Sequence, residues 1–199
     1  MKPQVFISGL ASVLALAGAC STRRSEPVVS SRYQAVKSAV DPSARWCDVS
    51  FAGEAKALTL PPLASGGGLL PLALPKGKRV WVNLWATWCK PCLRELPLLL
   101  QWQSDLGKDG VDVEPLFLSL DEDAEVLSKF LAEYKEIPAG RVARASSEQD
   151  YQQWMKGYLK DPSTPIPIHL LASSDGHLRC IRSGSLREGD YPAAKAALH

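Results

Sequence analysis

Two cysteines separated by two residues, Cys89 and Cys92, stand between a strongly apolar run and a helical pattern. The run before them, residues 79–85, is almost continuously apolar, as expected for a central strand covered on both faces. After Cys92, leucines recur at helical spacing as far as Leu106. The first cysteine therefore falls near a helix N-terminus, where free backbone N–H groups and the helix dipole favour a thiolate.

Strands and helices alternate along the rest of the chain. Periodicity predicts strands over 111–119, 166–171 and 178–182, a helix through Val126, Phe130 and Leu131, and helices over 147–159 and 192–198. The turn Ser174-Asp175-Gly176 joins the last two strands as a hairpin. The alternation predicts an α/β fold, and the late hairpin makes its central sheet mixed.

Two local patterns add detail to this outline. Residues 57–60 and 71–74 flank Pro61-Pro62 and a run of three glycines, which predicts a β-hairpin added in front of the sheet. The acidic run 121–123 is expected in the first turn of the following helix, where carboxylates interact favourably with the helix dipole.

The first 19 residues have the features of an export signal. Lys2 is followed by an apolar stretch, residues 5–17, that is too short to span a bilayer comfortably. The small residues before Cys20 resemble the lipobox of bacterial lipoproteins, although Ala17 stands where a larger aliphatic residue is usual. Cys20 is then the lipidated N-terminus of the mature protein. The alternative is an ordinary cleaved signal peptide, with Cys20 incidental.

Either kind of signal predicts a protein on the periplasmic side of a bacterial membrane, where disulfides persist. Residues 20–45 are rich in serine and arginine and are expected to form a tether, so that the folded domain spans 46–199. A lipid anchor would place this domain at a membrane. Ser21 follows Cys20 in place of an aspartate, which favours the outer membrane.

The charge balance argues against nucleic acid as a partner. The chain has 23 Lys and Arg against 21 Asp and Glu, and no basic stripe with interleaved aromatic residues. A hydrophobic fraction of 46% is sufficient for a packed core. No cofactor is implied by these patterns.

The cysteine pair is predicted to carry thiol–disulfide chemistry. Cys89 is expected to be the exposed attacking thiolate, favoured further by the cation of Lys90, and Cys92 the more buried resolving thiol. The alternative is half of a zinc site, but structural zinc takes four ligands. The chain has no second closely spaced pair, and its histidines lie far apart at His169, His177 and His199.

The sequence from Asn83 to Pro97, NLWATWCKPCLRELP, resembles the thioredoxin-like group of TlpA, ResA and the cytochrome c maturation thioredoxins. The resemblance extends from about Leu58 to Ala197. It implies a thioredoxin fold with an added N-terminal hairpin and a monomeric protein-disulfide oxidoreductase. Such a protein exchanges disulfides with protein thiols, mostly as a reductant, and is recharged by an upstream redox donor. Apocytochrome c and copper-site assembly factors are partners of this class.

The resemblance also assigns roles around the cysteines. Glu95 matches a glutamate tied to proton handling, and the alternative is an exposed acid in the first helical turn. Asn83 occupies the position of thioredoxin's buried aspartate. Trp88, Lys90 and Pro91 would contact the substrate.

A cis-proline faces the cysteine pair in this family, and both Pro165 and Pro167 are candidates. Counting back from the turn at Asp175 selects Pro167. The backbone of Ile166 would then pair with an extended substrate segment, as in β-augmentation.

Cys47 and Cys180 remain outside the motif. In an exported protein, two further cysteines indicate a structural disulfide, and some TlpA-type proteins have a comparable second bridge. Its long loop would contribute about 4–5 kcal/mol by the chain-entropy argument. Two buried free thiols are the alternative.

A rival function of another class is a copper metallochaperone that binds the metal through Cys89 and Cys92. His169 is the candidate third ligand, but a strand histidine is more often a packed or surface residue. The related Sco proteins use a longer Cys-x-x-x-Cys spacing, which disfavours this hypothesis. A binding module without redox activity is disfavoured because both cysteines are present.

Overall fold

A six-stranded sheet with helices on both faces forms the centre of the computed structural model, which describes residues 42–51, 53–66, 69 and 71–199. The export signal, Cys20 and the tether as far as residue 41 lie outside the described residues. A short 3-10 turn, Pro42–Arg45, precedes the first strand.

The strands are arranged in the order β1-β6-β5-β2-β3-β4. The neighbours β2, β3 and β4 are parallel, whereas β5 runs antiparallel to β2, and β6 is antiparallel to both β5 and β1. The sheet is therefore mixed, as predicted, and the thioredoxin fold is confirmed. The strands are β1 Val49–Ser50, β2 Arg79–Trp85, β3 Val113–Ser119, β4 Val142–Arg144, β5 Ile168–Ala172 and β6 Leu178–Ser183.

Four α-helices cover the sheet in the described part of the chain: α1 Lys90–Lys108, α2 Ala124–Glu133, α3 Glu148–Met155 and α4 Tyr191–Ala197. Short 3-10 turns, Ala139–Arg141 and Glu188–Asp190, precede β4 and α4. The first helix begins two residues earlier than predicted, because Cys89 itself is its N-cap, and it continues through Pro97.

Alternation along β2 divides the interior into two cores. Trp81 and Trp85 point to one face, where they pack with Leu96, Leu99 and other residues of α1. Val82 and neighbouring even-numbered positions point to the other face, toward Tyr151 and Met155 of α3. Because helices cover both faces, this strand is almost entirely buried, which explains its nearly continuous apolar sequence.

The predicted N-terminal hairpin is wrong. Among the described residues from 53 to 78 no strand forms; isolated bridges pair Ala57 with His177 and Leu63 with Ala145. This segment crosses from the β5–β6 turn to the edge beyond β4, where Ser146 N donates to Pro62 O at 2.9 Å. Pro61 and Pro62 have no N–H to donate to a ladder, so the segment makes separate contacts instead.

The acidic run before α2 also differs from expectation. The helix starts at Ala124, and Asp123 is its N-cap, accepting a hydrogen bond from Glu125 N at 2.7 Å. Asp121 lies outside the helix and is buried, with its carboxylate directed at the loop before the cysteine pair. Glu125 is thus the acid in the first turn.

No helix in the described part of the chain is both long and apolar enough to cross a bilayer.

Candidate active site

The cysteine pair lies at the junction of β2 and α1. Cys89 caps the helix, and Cys92 N donates a hydrogen bond to Cys89 Sγ at 3.2 Å. The two cysteines are joined by a disulfide with their Cα atoms 5.3 Å apart. This contact directs a backbone N–H and the positive end of the helix dipole at Cys89 Sγ, the arrangement that stabilises a thiolate after reduction.

Both cysteines are more covered than the sequence suggested. Cys89 is 4% exposed and Cys92 is completely buried, so the predicted order of accessibility is present, but Cys89 is not an exposed side chain. The carbonyl oxygen of Ile166 lies 3.8 Å from Cys89 Sγ and helps to cover it. The exposed side chain at the motif is that of Trp88, at 66%.

The loop opposite the cysteines contains a cis peptide bond between Ile166 and Pro167. The structure records no cis bond at Pro165, the other candidate. Pro167 O accepts a hydrogen bond from Gly184 N at 2.8 Å, which ties this loop to the residue after β6. Ile166 therefore lies beside Cys89, and Pro167 follows it through the cis bond.

A shallow groove borders the exposed indole of Trp88. Lys90 is exposed and Pro91 half-buried in the first turn of α1, between the two cysteines in sequence. Of the residues expected to contact the substrate, Trp88 and Ile166 line this groove. Its full lining is Trp88, Leu120, Glu148, Tyr151, Pro162, Ser163, Thr164, Pro165 and Ile166.

A buried polar cluster lies on the α1 face of the sheet. Glu95 is 3% exposed, which rules out the exposed first-turn acid. Its Oε1 accepts from Asn83 Nδ2 at 3.0 Å and its Oε2 from Leu186 N at 2.9 Å. Asn83 is paired across strands with His169, and His169 Nε2 lies 3.4 Å from Glu95 Oε1. The indole of Trp81 donates to His169 Nδ1 at 3.2 Å.

Sequence reasoning missed two parts of this region. The packed alternative for His169 is the one observed, but its contacts were not predicted: it is completely buried beside Trp81, Asn83 and Glu95. The sequence signal for this contact was a polar residue inside each of two apolar runs, Asn83 in β2 and His169 in β5.

Asp121 is the second feature that sequence reasoning missed. Its carboxylate accepts from Thr87 N at 3.1 Å and from Thr87 Oγ1 and Ser119 Oγ at 2.7 Å each. Thr87 stands two residues before Cys89, so Asp121 fixes the loop that leads into the motif. Register explains the encounter, because Trp85 and Ser119 are partners at the ends of the parallel strands β2 and β3.

The second cysteine pair is joined as well. A disulfide links Cys47, just before β1, to the buried Cys180 in β6, with Cα atoms 5.4 Å apart. The two free thiols of the alternative hypothesis are thus not found here. Within the part of the chain described, no group of three or more His, Cys, Asp or Glu side chains is placed to hold a metal ion.

Comparison with known proteins agrees with this geometry. Residues 77–165, which include β2, the cysteine pair and α1, match the thioredoxin-like family. The thiol-disulfide oxidoreductase ResA of Bacillus cereus is 36% identical over 59 residues, covering 30% of this chain and 33% of the relative. ResA of Geobacillus kaustophilus is 27% identical over 115 residues, covering 58% and 60%.

A solved thiol-disulfide isomerase from Corynebacterium glutamicum superposes with a TM-score of 0.52 at 21% identity, covering 72% of this chain and 96% of that one. Fold, site and sequence similarity together define a thioredoxin-like protein. Within that class its sequence is similar to the ResA thiol-disulfide oxidoreductases. It spans about a third of the length of the first curated relative that it matches.

Proposed function

We propose that this protein is a thiol–disulfide oxidoreductase that exchanges disulfides with protein substrates through Cys89 and Cys92. The observation that carries the proposal is the Cys89–Cys92 disulfide at the N-terminus of α1, facing the cis bond of Ile166 and Pro167. Dithiol pairs in this setting have thiolates that are populated near neutral pH.

The exchange proceeds in two displacements. The Cys89 thiolate attacks a substrate disulfide, forms a mixed disulfide with one substrate sulfur and releases the other as a thiolate. Cys92 then loses its proton and attacks Cys89 Sγ, which releases the second substrate thiolate and closes the Cys89–Cys92 disulfide. Two electrons pass to the substrate, and an upstream dithiol donor then reduces the Cys89–Cys92 disulfide and becomes a disulfide itself.

The surroundings of the pair suit this chemistry. The exposed indole of Trp88, with Lys90 and Pro91, presents a surface for the substrate chain, and the Ile166 backbone borders Cys89 Sγ. Glu95 is the base assigned to the resolving step, because it lies one helical turn after Cys92 and is buried on the same face.

The proposal includes a site of action outside the cytoplasm. We infer export and a lipid anchor at Cys20 from the leader sequence, and the Cys47–Cys180 disulfide is of the kind that persists in oxidising compartments. A reductive role in cytochrome c maturation or copper-site assembly rests on the resemblance to TlpA-type proteins. Mass analysis of the mature N-terminus tests the anchor; an unmodified N-terminus other than Cys20 would remove it.

The catalytic claim is tested by insulin disulfide reduction with the purified domain and a thiol donor. The protein is expected to accelerate the reaction, while Cys89→Ser abolishes turnover and Cys92→Ser traps a mixed disulfide with the substrate. Cys47→Ser is the matched control, since it changes a cysteine outside the motif and should leave turnover in place. Absence of turnover together with tight copper binding by Cys89 and Cys92 would favour the metallochaperone.

A further inference from the structure

The groove lined by Trp88, Leu120 and the loop 162–166, the Trp88 groove, lies beside the attacking sulfur. Ile166 is part of its lining, and the carbonyl oxygen of Ile166 is 3.8 Å from Cys89 Sγ. With a volume of about 180 Å³, the groove is smaller than the roughly 300–1,000 Å³ typical of small-molecule sites. Its size and its place therefore suit a side chain from the part of a protein substrate next to the reactive cysteine.

A second groove extends the Trp88 groove toward the N-terminus of α3. The two grooves have Leu120, Glu148 and Tyr151 in common, and the second does not include Trp88 or the loop at the cis bond. Its volume is about 330 Å³. Together the grooves form a continuous path that leads away from Cys89, along which an extended substrate chain can lie.

Carboxylates outnumber cations along this path. Glu148 alone is charged among the described residues that line the Trp88 groove. The second groove adds the buried Asp121 and the exposed Glu122 on the acidic side, and Arg144 on the basic side. Arg144 directs its guanidinium at the backbone, since Nη1 donates to the carbonyl oxygens of Asp121 at 3.3 Å and Glu122 at 3.0 Å. The lining is thus net negative, which favours a basic substrate segment over an acidic one.

Glu148 is an exposed residue at the place where the two grooves meet. Its Oε1 accepts from Gln152 Nε2 at 2.7 Å, and a carboxylate has about four acceptor positions, so others remain for a substrate cation. Burial, followed by the charge of Glu148, raises the pKa of Tyr151, so the phenol stays neutral and adds no charge to the groove. The alternative role of Glu148 is purely structural, because an acid in the first turn of α3 interacts favourably with the helix dipole.

We propose that the two grooves bind the substrate segment that flanks its reactive cysteine, and that Glu148 selects segments carrying lysine or arginine. This inference rests on the proposed function and names its substrate class. The ion pair with Glu148 forms as the substrate binds and holds the substrate sulfur at Cys89. The exchange itself is unchanged: Cys89 attacks and forms the mixed disulfide, and Cys92 then closes the Cys89–Cys92 disulfide.

Two matched peptides test the selection. Both have the same length and a central cysteine in a mixed disulfide with thionitrobenzoate, and the cysteine is flanked on both sides by lysine in one peptide and by glutamate in the other. When the reduced protein reacts, the Cys89 thiolate attacks the peptide sulfur, and coloured thionitrobenzoate leaves with the electron pair of the broken bond. Cys92 then attacks Cys89 Sγ and releases the peptide thiolate.

The measured quantity is the ratio of the second-order rate constants for the lysine and glutamate peptides. We expect the wild-type protein to react faster with the lysine peptide, by about two- to fivefold, the effect of an ion pair at an exposed carboxylate. The ratio should fall as salt is added, because salt screens exposed charges. Glu148→Gln should remove most of the preference, and Glu148→Lys should reverse it.

Glu125→Gln is the matched control. Glu125 is likewise an exposed acid in the first turn of a helix, α2, but it is not among the described residues that line either groove. Its variant should keep the wild-type ratio, although both substitutions remove a charge that favours a helix N-terminus. Circular dichroism and urea unfolding of each variant verify that the fold is retained.

The possible results separate the inference from the proposed function. Absence of reaction between the wild-type protein and either peptide would contradict the proposed function itself. Equal rates for the two peptides, unchanged in Glu148→Lys, would overturn the role of Glu148 and leave the function standing. A wild-type preference for the glutamate peptide would also overturn it, since the exposed cations Lys90 and Arg94 of α1 would then dominate recognition. So would an equal loss of the ratio in Glu148→Gln and Glu125→Gln, which would indicate long-range charge in place of binding in the grooves.

Discussion

Asp121 is a buried carboxylate whose partners belong to the loop leading into the cysteine pair. It accepts from both the backbone and the hydroxyl of Thr87 and from Ser119. Asp121 is only 4% exposed. Its removal would therefore leave these donors without partners in a site that water reaches poorly. The position of Cys89 thus depends on a residue 32 positions away in sequence.

Replacing Asp121 by alanine should destabilise the protein by about 2–3 kcal/mol, the cost of removing a charged acceptor from buried donors. Loosening of the loop should also slow the attack by Cys89. Urea unfolding measures the first effect, and the rate at which the reduced protein attacks an aromatic disulfide such as dithiobis(nitrobenzoate) measures the second.

Asp123→Ala is the matched control for this change. It removes an exposed helix cap, so it should lower the free energy of unfolding by about 1 kcal/mol and leave the rate of attack by Cys89 unaltered. If the two alanine variants behaved alike in both measurements, the anchoring role of Asp121 would be wrong.

The site residues differ in how far sequence alone could predict them. Cys89, Cys92 and their strand–helix junction are encoded locally, so pattern and spacing suffice. Asn83 and His169 meet because their strands are neighbours, and strand pairing is not written in either segment. The pattern around Asp121 favours a helix start, and its actual partner, Thr87, becomes visible only once β2 and β3 are aligned.

At the scale of elements, α1 is fixed at both ends. Its N-terminus carries the cysteine pair, and its C-cap, Asp109, accepts hydrogen bonds from Tyr191 Oη at 2.8 Å and Lys195 Nζ at 2.9 Å. These bonds, that of Lys195 above all, lower the pKa of Asp109. Burial, followed by the hydrogen bond to Asp109, raises the pKa of Tyr191 to about 12. The helix bearing the site is thereby linked to α4.

This link makes the stability sensitive to alkaline pH. A tyrosine titrates near pH 10 when unfolded, so a folded pKa of about 12 means that the folded state holds the proton longer. The contribution of Tyr191 is therefore complete below about pH 10 and is lost as the pH rises toward 12. Urea midpoints should fall less steeply over this range in Tyr191→Phe than in the wild type.

Asp109→Asn should give an intermediate slope, because burial continues to raise the pKa of Tyr191 after the carboxylate is gone. Parallel curves for the wild type and Tyr191→Phe would show that Tyr191 does not control the alkaline limb.

The elements themselves were predicted well where periodicity is local and poorly where the contacts are distant. The predicted bounds of β2 match the observed ones, and those of β5 and β6 differ by one or two residues at their ends. The apolar run around Leu58 predicts half of a hairpin. Its actual partners, His177 and Ala145, lie more than 80 residues further along the chain. Short apolar runs flanked by prolines do not specify such partners.

At the scale of the whole molecule, two disulfides have different surroundings. The Cys89–Cys92 bond closes a short loop at a helix N-terminus, beside an exposed indole and a groove. The Cys47–Cys180 bond spans 133 residues and ties β6 to the start of the described domain, away from the motif in sequence. The position of the Cys89–Cys92 bond suits exchange with a partner. The position of the Cys47–Cys180 bond suits restriction of the unfolded chain.

Removal of the long-range bond should therefore affect stability and leave the redox chemistry in place. Cys47→Ala is expected to lower the free energy of unfolding by about 2–5 kcal/mol, because the unfolded chain regains the entropy of a very long loop. The Cys47→Ala/Cys180→Ala double variant should lose slightly more, since it also removes a buried sulfur from β6. Urea unfolding under non-reducing conditions gives both values, and insulin reduction by each variant should persist at a temperature where the variant is folded.

Alkylation of Cys47 and Cys180 in the non-reduced wild-type protein would contradict the bridge. Loss of turnover in a folded variant would mean that this disulfide takes part in the exchange.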